Sequence, residues 1–577
     1  MSFMTINDKQ IEFEGKESIL KLARENGIEI PTLCFLEDCA NIGQCGVCLV
    51  EIEGQERLAR ACAMKAKEGM VVKTNTQRVT DETKAAVTVI LDKHEFKCGP
   101  CSRKENCEFL KLVIKTKARA TKPFKVENKS DYVDDRSRAI TFDRSKCTVC
   151  GRCVAACRNY TKTNSIKFHK VENERRVGAD GLKCFDDTNC LLCGQCVIAC
   201  PVDALKEKSH IERVNDAINN PDKHVVVAMA PAVRASMGEL FKMEFGTDVT
   251  GKLYTVLREL GFDKIFDINF GADLTIMEEA RELLDRVKEN KNLPMFTSCC
   301  PSWVRQVEKF YPELKKNLST TKSPQQIFGV TSKTYYPKQE GLNAEDVFTV
   351  TIMPCTSKKF EADREAFEFE GRRDIDAVIT TRELARMIKD KKIKFSDLED
   401  GTSDSLMSEY SGASVIFGSS GGVMESALRT AKDFIEGDTE IVTEFTQVRG
   451  YEGVKESIVK IGDMDLKVAV INGAANLSEF IKAGKLEEGY HFIEVMACPG
   501  GCINGGGQPH LTALDRAKID IKSARGKVLY NQDLSLLKRK AHQNPEIIKL
   551  YAQFMGKLGE YKAHQLLHYS YDRESKH

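Results

Sequence analysis

Apolar runs and amphipathic segments alternate along the last two thirds of the chain. Residues 225–228, 347–352 and 468–471 are apolar runs of strand length, and residues 276–291 repeat apolar positions at helical spacing. Alternation of buried strands with helices is typical of α/β folds. We therefore predict an α/β domain with largely parallel sheets over residues 210–577.

The beginning of the chain follows a different pattern. Residues 5–6 and 11–13 predict a hairpin, residues 18–26 a helix, and residues 49–52 an alternating strand. These elements predict a small β-rich domain over residues 1–78.

Two further units separate this domain from the α/β part. Residues 79–125 are predicted to be helical and end in a basic stretch from Lys111 to Lys125. Residues 126–209 contain two similar cysteine runs, which begin at Cys147 and Cys190 and indicate an internal repeat. The whole pattern predicts a multidomain protein of α+β and α/β units.

Composition narrows the class of protein. The 577 residues include 86 Lys and Arg against 85 Asp and Glu, so no overall field favours nucleic acid or a membrane surface. The longest apolar run, residues 225–233, is interrupted by Pro231 and is far shorter than the ~20 residues of a membrane span. No secretory signal is readable at the start. A cytoplasmic location is expected.

The 22 cysteines carry the chemistry. Seventeen of them precede residue 201, and this clustering in a chain without an export signal favours metal ligation over disulfides or scattered buried thiols. The run Cys190-x₂-Cys193-x₂-Cys196-x₃-Cys200-Pro201 matches the bacterial ferredoxin pattern at every position.

The earlier run has the same spacing, without the proline. In this pattern the fourth cysteine of each run ligates the other cluster. One [4Fe–4S] cluster is thereby assigned to Cys147, Cys150, Cys153 and Cys200, and the second to Cys190, Cys193, Cys196 and Cys157. A pair of zinc sites is the alternative, but zinc prefers paired C-x₂-C arms.

Two smaller sets precede these runs. The first set fits no plant-type [2Fe–2S] spacing, so four ligands must be chosen from five; we favour Cys34, Cys45, Cys48 and Cys62, which leaves Cys39 as a buried thiol. The second set offers three cysteines for a four-cornered cluster, namely Cys98, Cys101 and Cys107. His94 is the nearest further donor, and on the residues alone ligation and a structural role are equally supported.

The five remaining cysteines are dispersed over the α/β part. Each lies near a glycine or proline turn after an apolar run: Cys299, Cys300, Cys355, Cys498 and Cys502. Loops at strand ends are where α/β domains build active sites. Glycines at 500–501 and 505–507 allow the backbone to approach a bulky group.

Three motifs make the chain resemble the monomeric, ferredoxin-linked [FeFe]-hydrogenases of anaerobic bacteria. They are Thr-Ser-Cys-Cys-Pro-Ser-Trp at 297–303, Met-Pro-Cys-Thr-Ser-Lys-Lys at 353–359, and Glu-Val-Met-Ala-Cys-Pro-Gly-Gly-Cys at 494–502. With the N-terminal cysteine sets, the resemblance covers nearly the whole chain. It implies ferredoxin-like iron–sulfur domains followed by a catalytic α/β domain.

The resemblance also implies the cofactors. These are one [2Fe–2S] cluster, three accessory [4Fe–4S] clusters with His94 as a ligand, and an H-cluster. The H-cluster is a [4Fe–4S] cube joined to a two-iron subsite with CO, cyanide and a dithiolate bridge. The implied cube ligands are Cys300, Cys355, Cys498 and Cys502, with Cys502 bridging to the subsite.

Further roles follow from the same resemblance. The implied proton relay is Cys299, Glu279, Ser319, Glu282 and Arg286. Glu279, Glu282 and Arg286 are spaced so that they share one face of a helix. From the residues alone, a solvated charged face is the better interpretation of that spacing. Lys358 is implied to pair with a cyanide, and the other implied cofactor-pocket residues are Gln325, Met353, Met496, Phe417, Ala230 and Pro231. Ala232 stands where some members have serine.

The expected function is reversible reduction of protons to H₂ with electrons from ferredoxin or flavodoxin. Maturation proteins are expected to install the two-iron subsite, and a monomer without nucleic-acid or membrane partners is expected. Two alternatives share parts of the pattern: an electron-relay subunit of an NADH dehydrogenase, and a hydrogenase-like cluster assembly factor. Cys299, Glu279, Lys358, Met353 and Met496 favour the hydrogenase.

Overall fold

A mixed sheet forms the first domain. The computed structural model of the protein describes residues 1–122, 124–437 and 442–571. In the five-stranded sheet the order is β2-β1-β7-β5-β6. The elements are β1 (Ser2–Ile6), β2 (Lys9–Phe13), α1 (Ile19–Glu25), β3 (Phe35–Leu36), β4 (Ala40–Asn41), β5 (Leu49–Ile52), β6 (Ala59–Arg60) and β7 (Val71–Lys73). The predicted hairpin, helix and strand are confirmed, and Ser18 caps α1 by accepting a hydrogen bond from the Lys21 amide.

Two helices follow, α2 (Gln77–Leu91) and α3 (Glu108–Thr116). Val79, Val87 and Leu91 of α2 are buried at the spacing that packs one helix face against α3. The helical prediction for residues 79–125 is confirmed only for these two segments. Residues 92–107 are a loop, because Gly99-Pro100 and the cysteines around it leave no helical pattern to continue.

The two cysteine runs are a structural repeat. Val149 and Leu192 both have positive φ values (52° and 54°), and so do Gly151 and Gly194 (82° and 72°), so each run turns at the same places. A short helix follows each turn. The elements of this unit are β8 (Val133–Asp134), β9 (Ile140–Asp143), α4 (Arg152–Ala156), β10 (Ile166–Val171), β11 (Glu174–Ala179), α5 (Gln195–Ala199) and β12 (Leu205–Glu207).

Two four-stranded sheets form the α/β part. One is fully parallel with the order β14-β13-β16-β19; the other has the order β15-β22-β21-β20 and is parallel except for its β20–β21 edge. Their eight strands are β13 (His224–Met229), β14 (Lys264–Asp267), β15 (Met295–Phe296), β16 (Val347–Met353), β19 (Ala377–Thr380), β20 (Val454–Ile461), β21 (Met464–Asn472) and β22 (Phe492–Met496). A separate antiparallel pair is formed by β17 (Glu368–Phe369) and β18 (Arg372–Arg373). The prediction of largely parallel sheets is confirmed.

Helices surround the two sheets and join this part to the rest of the chain. They are α6 (Ile211–Ile218), α7 (Pro231–Arg234), α8 (Thr250–Leu260), α9 (Ile268–Glu289), α10 (Pro301–Phe310), α11 (Pro324–Glu340), α12 (Ser357–Ala362), α13 (Thr381–Asp390), α14 (Gly412–Val415), α15 (Gly422–Glu436), α16 (Ala474–Lys482), α17 (Ala513–Lys518), α18 (Ile521–Ser535), α19 (Pro545–Leu550) and α20 (Tyr561–Leu567). None of the helices in the described ranges is long and apolar enough to cross a bilayer.

Helix α9 is the central element and contacts both α11 and α15. It begins eight residues before the predicted start at Ile276. The prediction was wrong there because the first turns of α9 are buried on every side, so they lack the polar face that marks an amphipathic helix. Gly271 lets α9 approach α11, since a Cβ at this position would lie 2.4 Å from the Pro324 carbonyl oxygen.

Candidate active site and cysteine sets

A cavity lies at the carboxyl ends of the central strands. The loops that follow β13, β15, β16 and β22 reach it, as the sequence predicted for ligands delivered from strand ends. Its walls are almost entirely apolar or sulfur-containing. The lining residues that the sequence singled out are Ala230, Pro231, Ala232, Cys299, Cys300, Gln325, Met353, Cys355, Lys358, Phe417, Met496 and Cys502.

Four thiols converge beside this cavity from three loops. Burial, with the charge of Cys300 next, raises the pKa of Cys355 to about 12. Burial and the charges of Cys300 and Cys355 likewise raise the pKa of Cys502. The pKa of Cys498 is raised chiefly by burial and then by the charges of Cys193 and Cys355. The four thiols, Cys300, Cys355, Cys498 and Cys502, are therefore close neighbours in a dry environment.

This donor set fits a [4Fe–4S] cube. Soft thiolates select iron–sulfur centres, and binding to iron removes the protons that burial would otherwise retain. Glycines shape the loop around Cys502. A Cβ at Gly501 would lie 2.7 Å from the Ser420 amide nitrogen, and one at Gly505 would lie 2.3 Å from the Pro354 carbonyl oxygen. The backbone thus closes tightly around the sulfurs.

The second cysteine run lies directly against this site. Thr356 Oγ1 donates to the Leu192 carbonyl at 2.7 Å. A Cβ at Gly506 would lie 2.2 Å from the Cys193 carbonyl oxygen, and one at Gly194 would lie 2.5 Å from Thr356 Oγ1. The loop that ends the catalytic motif and the loop of the cysteine run are therefore in backbone contact.

The two cysteine runs cross. Burial, with the charge of Cys157 next, raises the pKa of Cys190 to about 12, so Cys157 lies with the second run. Burial and the charge of Cys200 raise the pKa of Cys150 to about 11, so Cys200 lies with the first run. Each fourth cysteine is therefore close to the other run, which is the proximity that the predicted crossed ligand sets need.

The N-terminal cysteines form two pairs. Cys48 Sγ and Cys62 Sγ are 3.4 Å apart, and Cys34 is hydrogen-bonded to Cys45, which lowers the pKa of Cys34. Cys39 stands apart. Burial and the neighbouring Asp38 raise its pKa to about 11. Two pairs of thiols are the arrangement that two irons, each with two protein ligands, would use.

His94 lies over a small cavity with the three cysteines near it, Cys98, Cys101 and Cys107. Its Nδ1 is 3.0 Å from the Lys146 carbonyl oxygen, which can only accept, so Nδ1 carries a proton and Nε2 remains available. Burial lowers the pKa of His94 to about 4, so the ring is neutral at pH 7, the form that ligates metals.

The zinc alternative would require compact four-ligand sites. Four zinc ligands would crowd around one ion, yet across the described ranges no group of three or more His, Cys, Asp and Glu side chains is placed to hold a single metal ion.

The predicted relay residues are in one place. Glu282 accepts from Ser319 Oγ at 2.9 Å and from Arg286 at 2.6 Å. Glu279 is buried, and its Oε2 atom has no hydrogen-bond partner in the described part of the protein. Burial and the charge of Glu282 raise the pKa of Glu279 to about 8. Burial and the charge of Glu279 also raise the pKa of Cys299.

Lys358 is the one charged side chain among the described residues that line the cavity. Its ammonium contacts Glu361 Oε2 at 2.8 Å and Ser323 Oγ at 2.9 Å. Sequence reasoning missed both partners. Glu361 could have been found from its position three residues after Lys358, on the same helix face; Ser323 carries no comparable signal.

Comparison with known proteins agrees with this site. Residues 223–506 match the family described as iron only hydrogenase large subunit, C-terminal domain, and residues 519–574 match iron hydrogenase small subunit. The preceding parts match iron–sulfur descriptions: a 2Fe-2S cluster binding domain at 3–77, an iron hydrogenase iron–sulfur centre-binding domain at 78–118, and a 4Fe-4S dicluster domain at 146–204.

Whole-chain relatives extend the match. Iron hydrogenase 1 of Clostridium pasteurianum is 59% identical over 99% of this chain and 100% of the relative. A subunit of an NADP-reducing hydrogenase from Solidesulfovibrio fructosivorans is 41% identical over 99% of both chains. A structure of apo [FeFe]-hydrogenase from Chlamydomonas reinhardtii is 38% identical, covers 63% of this chain and 98% of its own, and has a TM-score of 0.56.

The fold and the sulfur-lined site define an iron–sulfur oxidoreductase. More particularly, the chain belongs to the iron-only, or [FeFe], hydrogenases. It is an enzyme of H₂ metabolism whose cofactors are [2Fe–2S] and [4Fe–4S] clusters and an H-cluster. The relay-subunit and assembly-factor alternatives are thereby set aside.

Proposed function

We propose that the chain interconverts protons and H₂ with electrons from ferredoxin, flavodoxin being the second carrier considered. It is proposed to work as a cytoplasmic monomer after maturation proteins install the two-iron subsite. The convergence of four thiols beside Cys299 and Glu279 carries the proposal. When bound, the H-cluster supplies the metal site at which protons and electrons combine.

The proposed ligand sets follow the cysteine groups. The cube is held by the four thiols of the catalytic part, and two [4Fe–4S] clusters by the crossed runs. His94 completes a further [4Fe–4S] set with its three cysteines, and the two N-terminal pairs hold the [2Fe–2S] cluster. The corresponding domains are 1–78, 79–125, 126–209 and 210–577.

Hydrogen bonds support one connected electron relay. His94 bonds to the carbonyl of Lys146, the residue before Cys147. Gln44, the residue before Cys45, donates to the Val149 carbonyl at 2.6 Å, next to Cys150. Both peripheral sets therefore contact the backbone of the first cysteine run, which favours two entry points that merge there.

The protein's own groups are proposed to move the proton. Arg286 and Glu282 lie nearest solvent, with side chains 10% and 13% exposed. The Ser319 hydroxyl donates a hydrogen bond to Glu282. Glu279 interacts electrostatically with Glu282 on one side and with Cys299 on the other, so it links the two. A carboxyl with a pKa near the working pH can both accept and release a proton. Cys299 then holds the proton at the cavity wall.

We also propose that the basic stretch from Lys111 to Lys125 helps to dock an acidic ferredoxin, so the carrier can be tested there. The backbone of Thr121 and Lys122 donates to Asp92 at 2.7 and 3.2 Å, which places this end of the stretch beside His94. Neutralising the exposed Lys117, Arg119 and Lys122 in the matured enzyme should raise the KM for ferredoxin and weaken its salt dependence. H₂ evolution from reduced ferredoxin is the assay.

The matched control neutralises Lys391 and Lys392, two exposed lysines after α13. This variant should keep the wild-type KM, and both variants should keep the rate with a small reduced dye. An unchanged salt dependence in the triple variant would remove the docking assignment. If the wild-type enzyme did not evolve H₂ with reduced ferredoxin, the proposal that ferredoxin is its electron carrier would be refuted.

A second prediction concerns pH. Because the pKa of Glu279 is raised to about 8, its carboxyl is protonated below that pH and loses the proton as pH rises through it. H₂ evolution should therefore fall above about pH 8. The charge of Glu282 is one cause of the raised pKa, so Glu282→Gln should move the alkaline limb to lower pH, besides lowering the maximal rate.

The control for this shift is Asp285→Asn on the same helix, whose carboxylate is half exposed and pairs with Arg281. Normalised pH–rate profiles of the three proteins give the comparison. An alkaline limb at the same pH in all three would show that Glu279 does not set it.

A further inference from the structure

Glu361 is buried immediately behind the cavity wall. It is 4% exposed and lies on α12, three residues after Lys358. Both of its carboxylate oxygens face the Lys358 ammonium, at 3.0 and 2.8 Å. Glu361 itself does not line the cavity.

The same carboxylate also binds the start of a second helix, α11. Gln325 Nε2 donates to Glu361 Oε2 at 3.0 Å, and Ser323 Oγ donates to that oxygen at 3.1 Å. The other end of the Gln325 amide accepts from Thr351 Oγ1 at 2.9 Å. The amide therefore has its nitrogen toward Glu361 and its oxygen toward β16. One carboxylate fixes the orientation of two lining residues, Lys358 and Gln325.

Charge makes this arrangement necessary. A buried ammonium is stable only when it is paired and hydrogen-bonded, and removing one partner leaves an uncompensated charge. Burial alone would lower the pKa of Lys358, but the charge of Glu361 reverses this and keeps the pKa raised. Hydrogen-bonded supports of this kind commonly orient the groups that touch a cofactor.

We propose that Glu361 is a positioning residue that holds the Lys358 ammonium in the orientation that receives the anionic ligands of the two-iron subsite. The Gln325 amide, whose nitrogen donates to Glu361 and to the Lys358 carbonyl at 3.1 Å, keeps this arrangement fixed in the cavity wall. The inference rests on the proposed function, because it assigns Lys358 to that subsite. Glu361 acts through its neighbours and touches no reacting atom.

The test uses the apo-protein that carries its iron–sulfur clusters, loaded with a synthetic two-iron carbonyl–cyanide dithiolate complex. Glu361→Gln keeps the size and can still accept hydrogen bonds, but it loses the charge. We expect slower loading than in wild type and shifted or broadened cyanide bands in the infrared spectrum. Glu361→Asp should restore part of the wild-type spectrum, and Lys358→Met should reproduce the change in the cyanide bands.

The control is Glu308→Gln. Glu308 forms an ion pair with Arg364 at 2.6 Å, close to α12 but outside the cavity. The Glu308→Gln variant should keep the wild-type loading rate and cyanide bands, whatever the change in its melting temperature. Wild-type cyanide bands in Glu361→Gln would overturn the proposal, as would a band shift that Lys358→Met does not share. If the loaded wild-type protein itself produced no H₂, the proposed function would fail, whereas the Glu361 comparison would still be readable from the spectra.

Discussion

Replacing Cys299 with alanine is expected to lower H₂ evolution by about 10²–10⁴-fold, the usual contribution of a positioned proton donor. Cys299 lines the cavity beside the proposed cube ligands but is not among them. The nearest acidic group in the relay is Glu279, which is buried and has a raised pKa of about 8. Without the Cys299 thiol, the relay would end at Glu279, which does not line the cavity.

The measurement needs proof that the cofactors are intact. Iron content and the infrared bands of CO and cyanide should match those of the wild type, so that the loss reflects proton delivery alone. Cys39→Ala is the matched control, since Cys39 is another buried thiol outside the proposed ligand sets; it should keep wild-type activity. A fully loaded Cys299→Ala enzyme with near-normal activity would rule out the proposed donor.

Local cysteine spacing predicted much of the site. A C-x₂-C-x₂-C run has to turn around its own sulfurs, and the matching positive φ values at Val149 and Leu192 are the physical form of that constraint. The parallel strands and the loops at their ends were also predictable, because buried strands leave uninterrupted apolar runs. The ligand choice among the five N-terminal cysteines stayed open, since spacing alone did not separate Cys39 from the rest.

Other features depend on packing between distant segments. The start of α9 was missed because a helix buried on every side has no polar face. The bond from Gln44 to the Val149 carbonyl joins segments 105 residues apart, and no local pattern indicates it. Glu361 binds α11 as well as its own helix, so its importance becomes visible only when the two helices are placed together.

The contact between Gly506 and Gly194 also could not be predicted from local sequence. The sequence suggested that glycines at 505–507 admit a bulky group, yet Gly506 approaches the backbone of the second cysteine run instead. A Cβ at this position would lie 2.2 Å from the Cys193 carbonyl oxygen and 2.6 Å from Gly194 Cα. Neither atom belongs to a flexible side chain, so one of the loops would have to move.

Gly506→Ala is therefore expected to impair ferredoxin-driven H₂ evolution much more than isotope exchange between H₂ and heavy water. Overpacking at a tight contact costs about 1–3 kcal/mol of stability, and the displaced loop would increase the distance between the Cys193 and Cys498 sulfurs. Because electron transfer weakens steeply with distance, the variant should lose most of its ferredoxin-driven H₂ evolution. Exchange between H₂ and heavy water requires no external electrons, so it should be largely retained.

Gly341→Ala serves as the control, because a Cβ there meets no atom within 4 Å although the residue has φ +69° at the end of α11. It should lose some stability from its backbone conformation but keep both activities in proportion. If Gly506→Ala lost isotope exchange and ferredoxin-driven activity equally, general unfolding would explain the result. If it lost neither, the contact between Gly506 and the Cys193 loop would not govern the passage of electrons into the active site.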